Sequence, residues 1–243
     1  CLYPAYQGMR TIAIASGIML PFVIIFGDFV MSANFSQKEY GLLFPLFEHG
    51  PWRVIKAGVY IGGGLAELFP IVLLQHYFKS RVPLWAMWIL GAILIVLVMG
   101  PLTGAITEFG PIEAARLRYP AYEEWRLVRL GRYITHADFL SIYQWLSGAV
   151  IRLALALYLA MEIVAIRNRT ARNILISALG LAYLIVANVP ISDMQYLSIL
   201  RNYYFPYTLI GVAVMSVILL CLVILARRKE GNARERETRR RAQ

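Results

Sequence analysis

Charge is scarce in this sequence. Only 16% of its 243 residues are Asp, Glu, Lys or Arg, and 59% are hydrophobic, whereas ordinary soluble domains carry about 25% charged residues. The composition therefore excludes a soluble globular protein. It predicts an all-α polytopic membrane protein, because helices satisfy their own backbone hydrogen bonds in lipid. Since the chain begins with Cys1 instead of Met, we expect it to be the C-terminal part of a longer protein.

Residues that form disulfides or bind metals are also few. The two cysteines, Cys1 and Cys221, lie near opposite ends of the chain, and His49, His76 and His136 are scattered. Neither pattern has the spacing of a disulfide framework or a metal site. The sequence also lacks a glycine-rich phosphate loop, a paired metal motif and a nucleophile elbow. We therefore expect no enzyme activity, no metal and no cofactor.

Acidic residues number only 14 against 24 basic ones, which gives a net charge of +10. Eight of the 24 basic residues lie between Arg227 and Arg241, directly after an apolar segment. A basic cluster in that position is a topological signal and a contact for anionic lipid headgroups. We predict that residues 227–243 form a disordered cytoplasmic tail, with a lipid membrane as partner and no nucleic acid.

Apolar segments long enough to cross the ~30 Å hydrocarbon layer recur along the chain. A membrane domain over residues 1–226 is predicted to contain six spans, at about 11–31, 54–78, 85–107, 139–166, 174–191 and 204–226. The two long connections, 32–53 and 108–135, mix aromatic and charged residues. This mixture predicts interfacial segments that lie on the membrane.

The second span combines Gly62, Gly63 and Gly64 with Glu67. Each glycine weakens a helix by roughly 1 kcal/mol relative to alanine, and a carboxylate in the bilayer costs about 2.5–3.5 kcal/mol on insertion scales. One interpretation is a broken helix whose unwound backbone binds a small polar ligand, as in many secondary transporters. Free N–H and C=O groups there suit the carboxylate and ammonium of an amino acid. The other interpretation is close helix packing at a small-residue face, with Glu67 paired to a basic neighbour.

Arg152 lies near the middle of the fourth span, too far from either end for its guanidinium to reach the interface without strain. An intramembrane charge requires a partner. We predict an ion pair between Glu67 and Arg152. The pair is either purely structural or responsive to a ligand that rearranges the two helices.

Three further polar residues of the fourth span share one helical face because their spacing follows the helical period: Tyr143, Ser147 and Tyr158. Their hydroxyls are candidates for binding a small polar ligand. Packing with interhelical hydrogen bonds explains the same pattern, and the sequence leaves both interpretations open.

One run of sequence is distinctive: GAITEFGPIEAARLRYPAYEEWR at residues 104–126, continued at 131–134, 138–139 and 141–145. It resembles the B subunits of spore germinant receptors, the spore-germination permease family of endospore-forming bacteria. The segment GLLFPLFEHG at residues 41–50 and the glycine span with Glu67 resemble the same family. The resemblance covers nearly the whole chain.

The resemblance implies the LeuT-like, inverted-repeat transporter fold of the amino acid–polyamine–organocation superfamily, with ten spans in two five-helix repeats. This chain would then contain the last helix of the first repeat and all of the second. The glycine span would be the sixth helix, one of the two discontinuous ones, and the span with Arg152 would be the eighth. The other discontinuous helix would be absent from this chain.

The resemblance also implies a function. A B subunit is expected to bind a small nutrient germinant, often an amino acid, and to signal to the A and C subunits of the receptor in the spore inner membrane. The alternative within the same fold is an amino-acid secondary transporter. A third alternative is a structural scaffold with an inactive pocket.

Overall fold

The described part of the chain folds into α-helices, with short 3₁₀ turns and one π-helical turn between some of them. A computed structural model describes residues 1–45, 50–78, 82–129, 137–164, 166 and 168–241. In these ranges the α-helices are α1 (Leu2–Gln7), α2 (Met9–Ala33), α3 (Pro51–Leu65), α4 (Pro70–Leu73), α5 (Leu84–Phe109), α6 (Pro111–Arg116), α7 (Pro120–Leu127), α8 (Asp138–Val164), α9 (Arg169–Ala187), α10 (Asp193–Ile199) and α11 (Phe205–Arg241). The same ranges contain no strand, which confirms the predicted all-α class.

Six helical segments in the described ranges are long and apolar enough to cross a membrane: Met9–Ala33, Pro51–Leu73, Leu84–Phe109, Asp138–Val164, Arg169–Ala187 and Asp193–Ala226. Each overlaps one of the spans predicted from the sequence. The chain is a multi-pass membrane protein. Its arrangement as part of two inverted repeats stays a prediction.

The fifth and sixth spans begin earlier than predicted because of helix capping. Asn168 accepts a hydrogen bond of 2.9 Å from the backbone N–H of Thr170, which begins α9 before its apolar part. Ser192 and Gln195 form a reciprocal capping box that begins α10 at Asp193. A π-helical turn, Leu200–Tyr204, then joins α10 to α11 without a break.

The predicted interfacial segments contain short helical elements. Residues 32–53 include two 3₁₀ turns, Phe35–Gln37 and Tyr40–Leu43, and residues 108–135 include α6 and α7. Residues 46–49 and 130–136, which contain His49 and His136, lie outside the described ranges. At the C-terminus, α11 continues to Arg241 through the residues predicted to be a disordered tail. Alanine, glutamate and arginine dominate that part, and all three favour helix.

The described helices form two compact units. The first contains Cys1–Leu46 and Ser80–Val189, and the second contains Phe47–Lys79 and Pro190–Gln243. In the first unit α8 packs against α1, α2, α7 and α9. Its inward side chains enter two apolar clusters: Ala5, Leu157, Met161 and Ile176, and Ile12, Ala154 and Tyr158. α8 is therefore the central helix of this unit.

In the second unit α3 packs against α11. A Cβ atom at Gly63 would lie only 2.6 Å from the carbonyl oxygen of Phe205, and one at Gly62 would lie 3.0 Å from Leu209. A Cβ at Gly64 would have no heavy atom within 4 Å. The first two glycines thus permit close helix packing, which is the second of the two interpretations left open by the sequence.

The second span is interrupted, but not at its glycines. Gly62, Gly63 and Gly64 all belong to α3, which ends at Leu65 and is followed by a 3₁₀ turn, Ala66–Leu68. Pro70 explains the position of the break, because proline has no N–H and its ring clashes with the carbonyl four residues earlier. The irregular backbone therefore includes Glu67 and begins immediately after the glycines.

Gly63→Ala and Gly64→Ala are a matched pair that tests the packing of α3. Gly63→Ala will lower the thermal unfolding temperature of the purified membrane protein by several degrees, because its methyl group meets the backbone of Phe205. Gly64→Ala will leave the unfolding temperature unchanged or raise it, since alanine favours helix by about 1 kcal/mol. Equal effects of the two changes would contradict the close packing at Gly63.

Candidate functional site

Two carboxylates and an ammonium meet at one end of α5, within the first unit. Glu108 lies next to the last residue of α5. Gly110, with a φ of 80° that favours glycine, turns the chain into α6 and then into α7, which packs back against α5 and carries Glu124. Lys38 follows the 3₁₀ turn after α2. Their side chains thus come from three different segments.

Lys38 and Glu108 form a buried ion pair. The distance from Lys38 Nζ to Glu108 Oε1 is 3.8 Å, and the two side chains are only 3% and 0% exposed. Lys38 Nζ also donates a hydrogen bond of 3.2 Å to the backbone carbonyl of Met31. Removing either partner would leave an uncompensated buried charge, which is strongly destabilising.

Asn34 connects the two glutamates. Its Nδ2 donates a hydrogen bond of 3.2 Å to Glu108 Oε2 and one of 2.7 Å to the backbone carbonyl of Glu124. The backbone N–H of Glu39 donates to the carbonyl of Thr107 at 2.9 Å, which holds the segment carrying Lys38 against α5. Asn34 is itself buried, so its amide fixes the relative position of α2, α5 and α7.

Glu124 is only 2% exposed, although it lies on a short interfacial helix. A methyl group at Gly104 would lie 2.6 Å from Oε2 of Glu124, so the glycine makes room for the carboxylate. The pKa of Glu124 is raised to about 8, first by burial and second by the negative charge of Glu108, while Lys38 and the N–H of Ala105 act in the opposite direction. Oε1 of Glu108 and Oε1 of Glu124 have no hydrogen-bond partner among the described residues.

The hydroxyl residues predicted on α8 lie mainly in packed positions. Ser147 is buried and donates a hydrogen bond of 2.9 Å to the carbonyl of Gln144 in its own helix. Tyr158 is buried beside Ile12, and the guanidinium of Arg172 lies 4.9 Å from its ring centre. Tyr143 remains 41% exposed. Packing thus accounts for Ser147 and Tyr158, and their binding of a ligand stays a prediction.

The remaining predicted residues are divided between the two units. Gly62, Gly63, Gly64 and Glu67 belong to the second unit, whereas Arg152 belongs to the first, as do the α8 hydroxyls. Glu67 and Arg152 are both exposed residues, and each also takes part in an interaction. The Glu67–Arg152 pair stays a prediction.

Sequence reasoning missed the cluster formed by Asn34, Lys38, Glu108 and Glu124. It treated the two glutamates only as acids of an interfacial segment. One signal was available, because Glu124 falls three residues after Ala121 and four before Val128, on the apolar face of an amphipathic helix. Asn34 and Lys38 gave no comparable signal, since they are distant from both glutamates in sequence.

Comparison with known proteins identifies the family. A protein-family model described as spore germination protein matches residues 1–196. The chain belongs to this family. It is 43% identical over 230 residues to spore germination protein XB of Bacillus anthracis, an alignment that covers 95% of this chain and 65% of that relative. No solved structure matches the chain.

Family membership agrees with the six helical segments of the described ranges that are long and apolar enough to cross a membrane. The family is not an enzyme family. The chain spans 65% of the length of the curated relative. Glu108 and Glu124 both lie in residues 104–126, the run on which the resemblance was first based, so that run supplies the two carboxylates of the buried cluster.

Asn34→Ala tests whether the cluster holds the first unit together. The change removes the donor shared by Glu108 and Glu124, and an unsatisfied buried acceptor costs about 1–3 kcal/mol. We expect an unfolding temperature roughly 5 °C lower, at about 2–4 °C per kcal/mol for a chain of this size.

Asn188→Ala is the matched control for this experiment. Asn188 Nδ2 donates only to the carbonyl of Leu184 in an exposed position, so the control will change stability by less than about 0.5 kcal/mol. An Asn34→Ala protein as stable as the Asn188→Ala protein would show that the two hydrogen bonds of Asn34 contribute little to stability.

Proposed function

We propose that the chain is the membrane-embedded sensing part of a nutrient germinant receptor B subunit. It binds a small germinant, an amino acid, at the interrupted second span and signals the binding to the A and C subunits. Family membership supports the receptor role. The observation that supports the site is the transition from α3 to a 3₁₀ turn immediately after Gly64.

The chemistry at this transition suits an amino acid. A helix C-terminus carries partial negative charge on its last carbonyl groups, and α3 ends at Leu65, two residues before the exposed carboxylate of Glu67. Both features attract an ammonium group. Gly64 has no side chain and no heavy atom near its Cβ position, so a ligand can approach the backbone there.

Signalling from this site follows from population shift. A ligand changes a conformational equilibrium only through its different affinity for the two states. An amino acid that binds the interrupted α3 favours one arrangement of the span, and the partner subunits read that arrangement. The receptor is placed in the spore inner membrane, with the basic C-terminus on the cytoplasmic side as the distribution of basic residues indicates.

Gly64→Leu in the full-length protein tests the site. A Cβ atom at Gly64 has no heavy atom within 4 Å, and the leucine side chain covers the accessible backbone next to the 3₁₀ turn, so amino-acid binding will weaken at least about tenfold, or about 1.4 kcal/mol. The measurement is equilibrium binding of radiolabelled amino acids to protein in nanodiscs. Glu67→Gln will weaken binding in the same direction, because it removes a charge that faces the ammonium.

Gly58→Leu is the matched control, since Gly58 also lies in α3 and also has no heavy atom near its Cβ position. It will bind the amino acid as the unchanged protein does. Normal binding by Gly64→Leu would refute the site. Concentrative uptake of the amino acid into proteoliposomes by this subunit alone would support the secondary transporter instead of the receptor.

A further inference from the structure

The buried cluster at the end of α5 has an unequal number of positive and negative groups. It contains one ammonium, Lys38, and two carboxylates, Glu108 and Glu124, all of them nearly inaccessible to solvent. Asn34 contributes only an amide donor. With both carboxylates ionised the cluster would carry a net negative charge, and an unpaired buried charge is far more costly than a neutral group.

No other described cation faces Glu124 to balance this charge. On α7 itself, Arg126 pairs with Glu123 at 2.8 Å on the outer side. On α8, Asp138 accepts a hydrogen bond of 3.0 Å from the hydroxyl of Tyr122. The charges that act on Glu124 are those of Glu108 on α5 and Lys38 after α2.

We propose that the cluster of Asn34, Lys38, Glu108 and Glu124 is a binding site for one proton. Glu124 carries the proton as a neutral carboxylic acid, while Lys38 stays paired with Glu108. The proton is taken up from water and returned to it, so the O–H bond on the Glu124 carboxylate is the bond that forms and breaks. Oε1 of Glu124 has no hydrogen-bond donor, and neither has Oε1 of Glu108, which faces Lys38 in the ion pair.

A metal cation fits this cluster less well than a proton. Hard cations require several oxygen ligands, but no three His, Cys, Asp or Glu side chains come together in a metal-binding group within the described ranges. Asn34 presents its amide nitrogen to the cluster instead of its oxygen. The ammonium of Lys38 already occupies the position beside Glu108 and repels a second cation.

Loss of the proton has a structural consequence. Ionised Glu124 places a second negative charge between α7 and α5, beside Gly104 and Glu108. Because the pKa of Glu124 is raised from 4.5 to about 8 on folding, the stability that exists below pH 4.5 is lost progressively as the pH rises to about 8. The docking of α7 on α5 therefore weakens towards alkaline pH.

Infrared difference spectroscopy of the full-length protein in lipid nanodiscs tests the site directly. A protonated carboxyl group has a C=O stretching band that ionised carboxylates lack. In the unchanged protein we expect one such band to disappear with a midpoint near pH 8. Glu124→Gln will remove it, and Glu123→Gln, the matched control on the same helix, will leave it in place. A band that disappears with the midpoint of an ordinary glutamate would overturn the proposal.

Lys38→Gln provides a second variant for the same measurement. It removes the positive charge that favours ionisation, so the midpoint of the band will rise by about one pH unit or more. An unchanged midpoint would contradict the assignment of the band to this cluster. A band that persists in a folded Glu124→Gln protein would do the same.

Replacing choline chloride with sodium chloride distinguishes a proton from a metal cation. A proton site will show the same midpoint in both salts. If sodium lowers the midpoint and raises the unfolding temperature at alkaline pH, the cluster binds sodium and the proposal is wrong.

Discussion

The cost of an unsatisfied backbone group in lipid is the constraint on which this structure depends. Each N–H or C=O group without a partner in the hydrocarbon layer costs several kcal/mol, so the chain crosses the layer as helices. Side-chain hydroxyls in these helices are satisfied in the same way: the hydroxyl of Thr103 donates to the carbonyl of Met99 at 2.8 Å, and the hydroxyl of Thr107 donates to that of Thr103 at 2.9 Å. The segment after α3 departs from regular α-helix, and the ligand site that we propose lies there.

Burying a charged side chain without a partner costs even more than burying an unpaired backbone group, and this cost determines which side chains meet at the end of α5. Lys38, Glu108 and Glu124 come from segments far apart in sequence and are buried together. Asn34 donates one hydrogen bond to a carboxylate oxygen and another to a backbone carbonyl. These directional bonds fix the relative positions of three helices more strictly than the apolar clusters around α8 do. Apolar contacts tolerate small displacements, whereas a hydrogen-bonded amide accepts only one arrangement. With a proton on Glu124, the charges of Lys38 and Glu108 balance and the cluster has no net charge.

The second span is interrupted after its three glycines and not at them. Three consecutive glycines correctly indicate an unusual helix, but glycine only lowers the helix propensity and does not forbid helix. The packing of Gly63 against Phe205 keeps the glycines helical. The break occurs just before Pro70, which lacks an N–H and whose ring clashes with the carbonyl four residues earlier.

The sequence by itself determined the membrane class, the six apolar spans and the family resemblance. These depend on composition and on apolar segments of about 20 residues, which are properties of neighbouring residues. The division of the α8 face into buried Ser147 and Tyr158 and exposed Tyr143 was decided by the tertiary structure, because α1, α2 and α9 cover one part of the helix and not another. The meeting of Asn34 with Glu108 and Glu124 was decided in the same way. Helical periodicity reports which residues share a face, but only packing brings together residues separated by 74 and 90 positions.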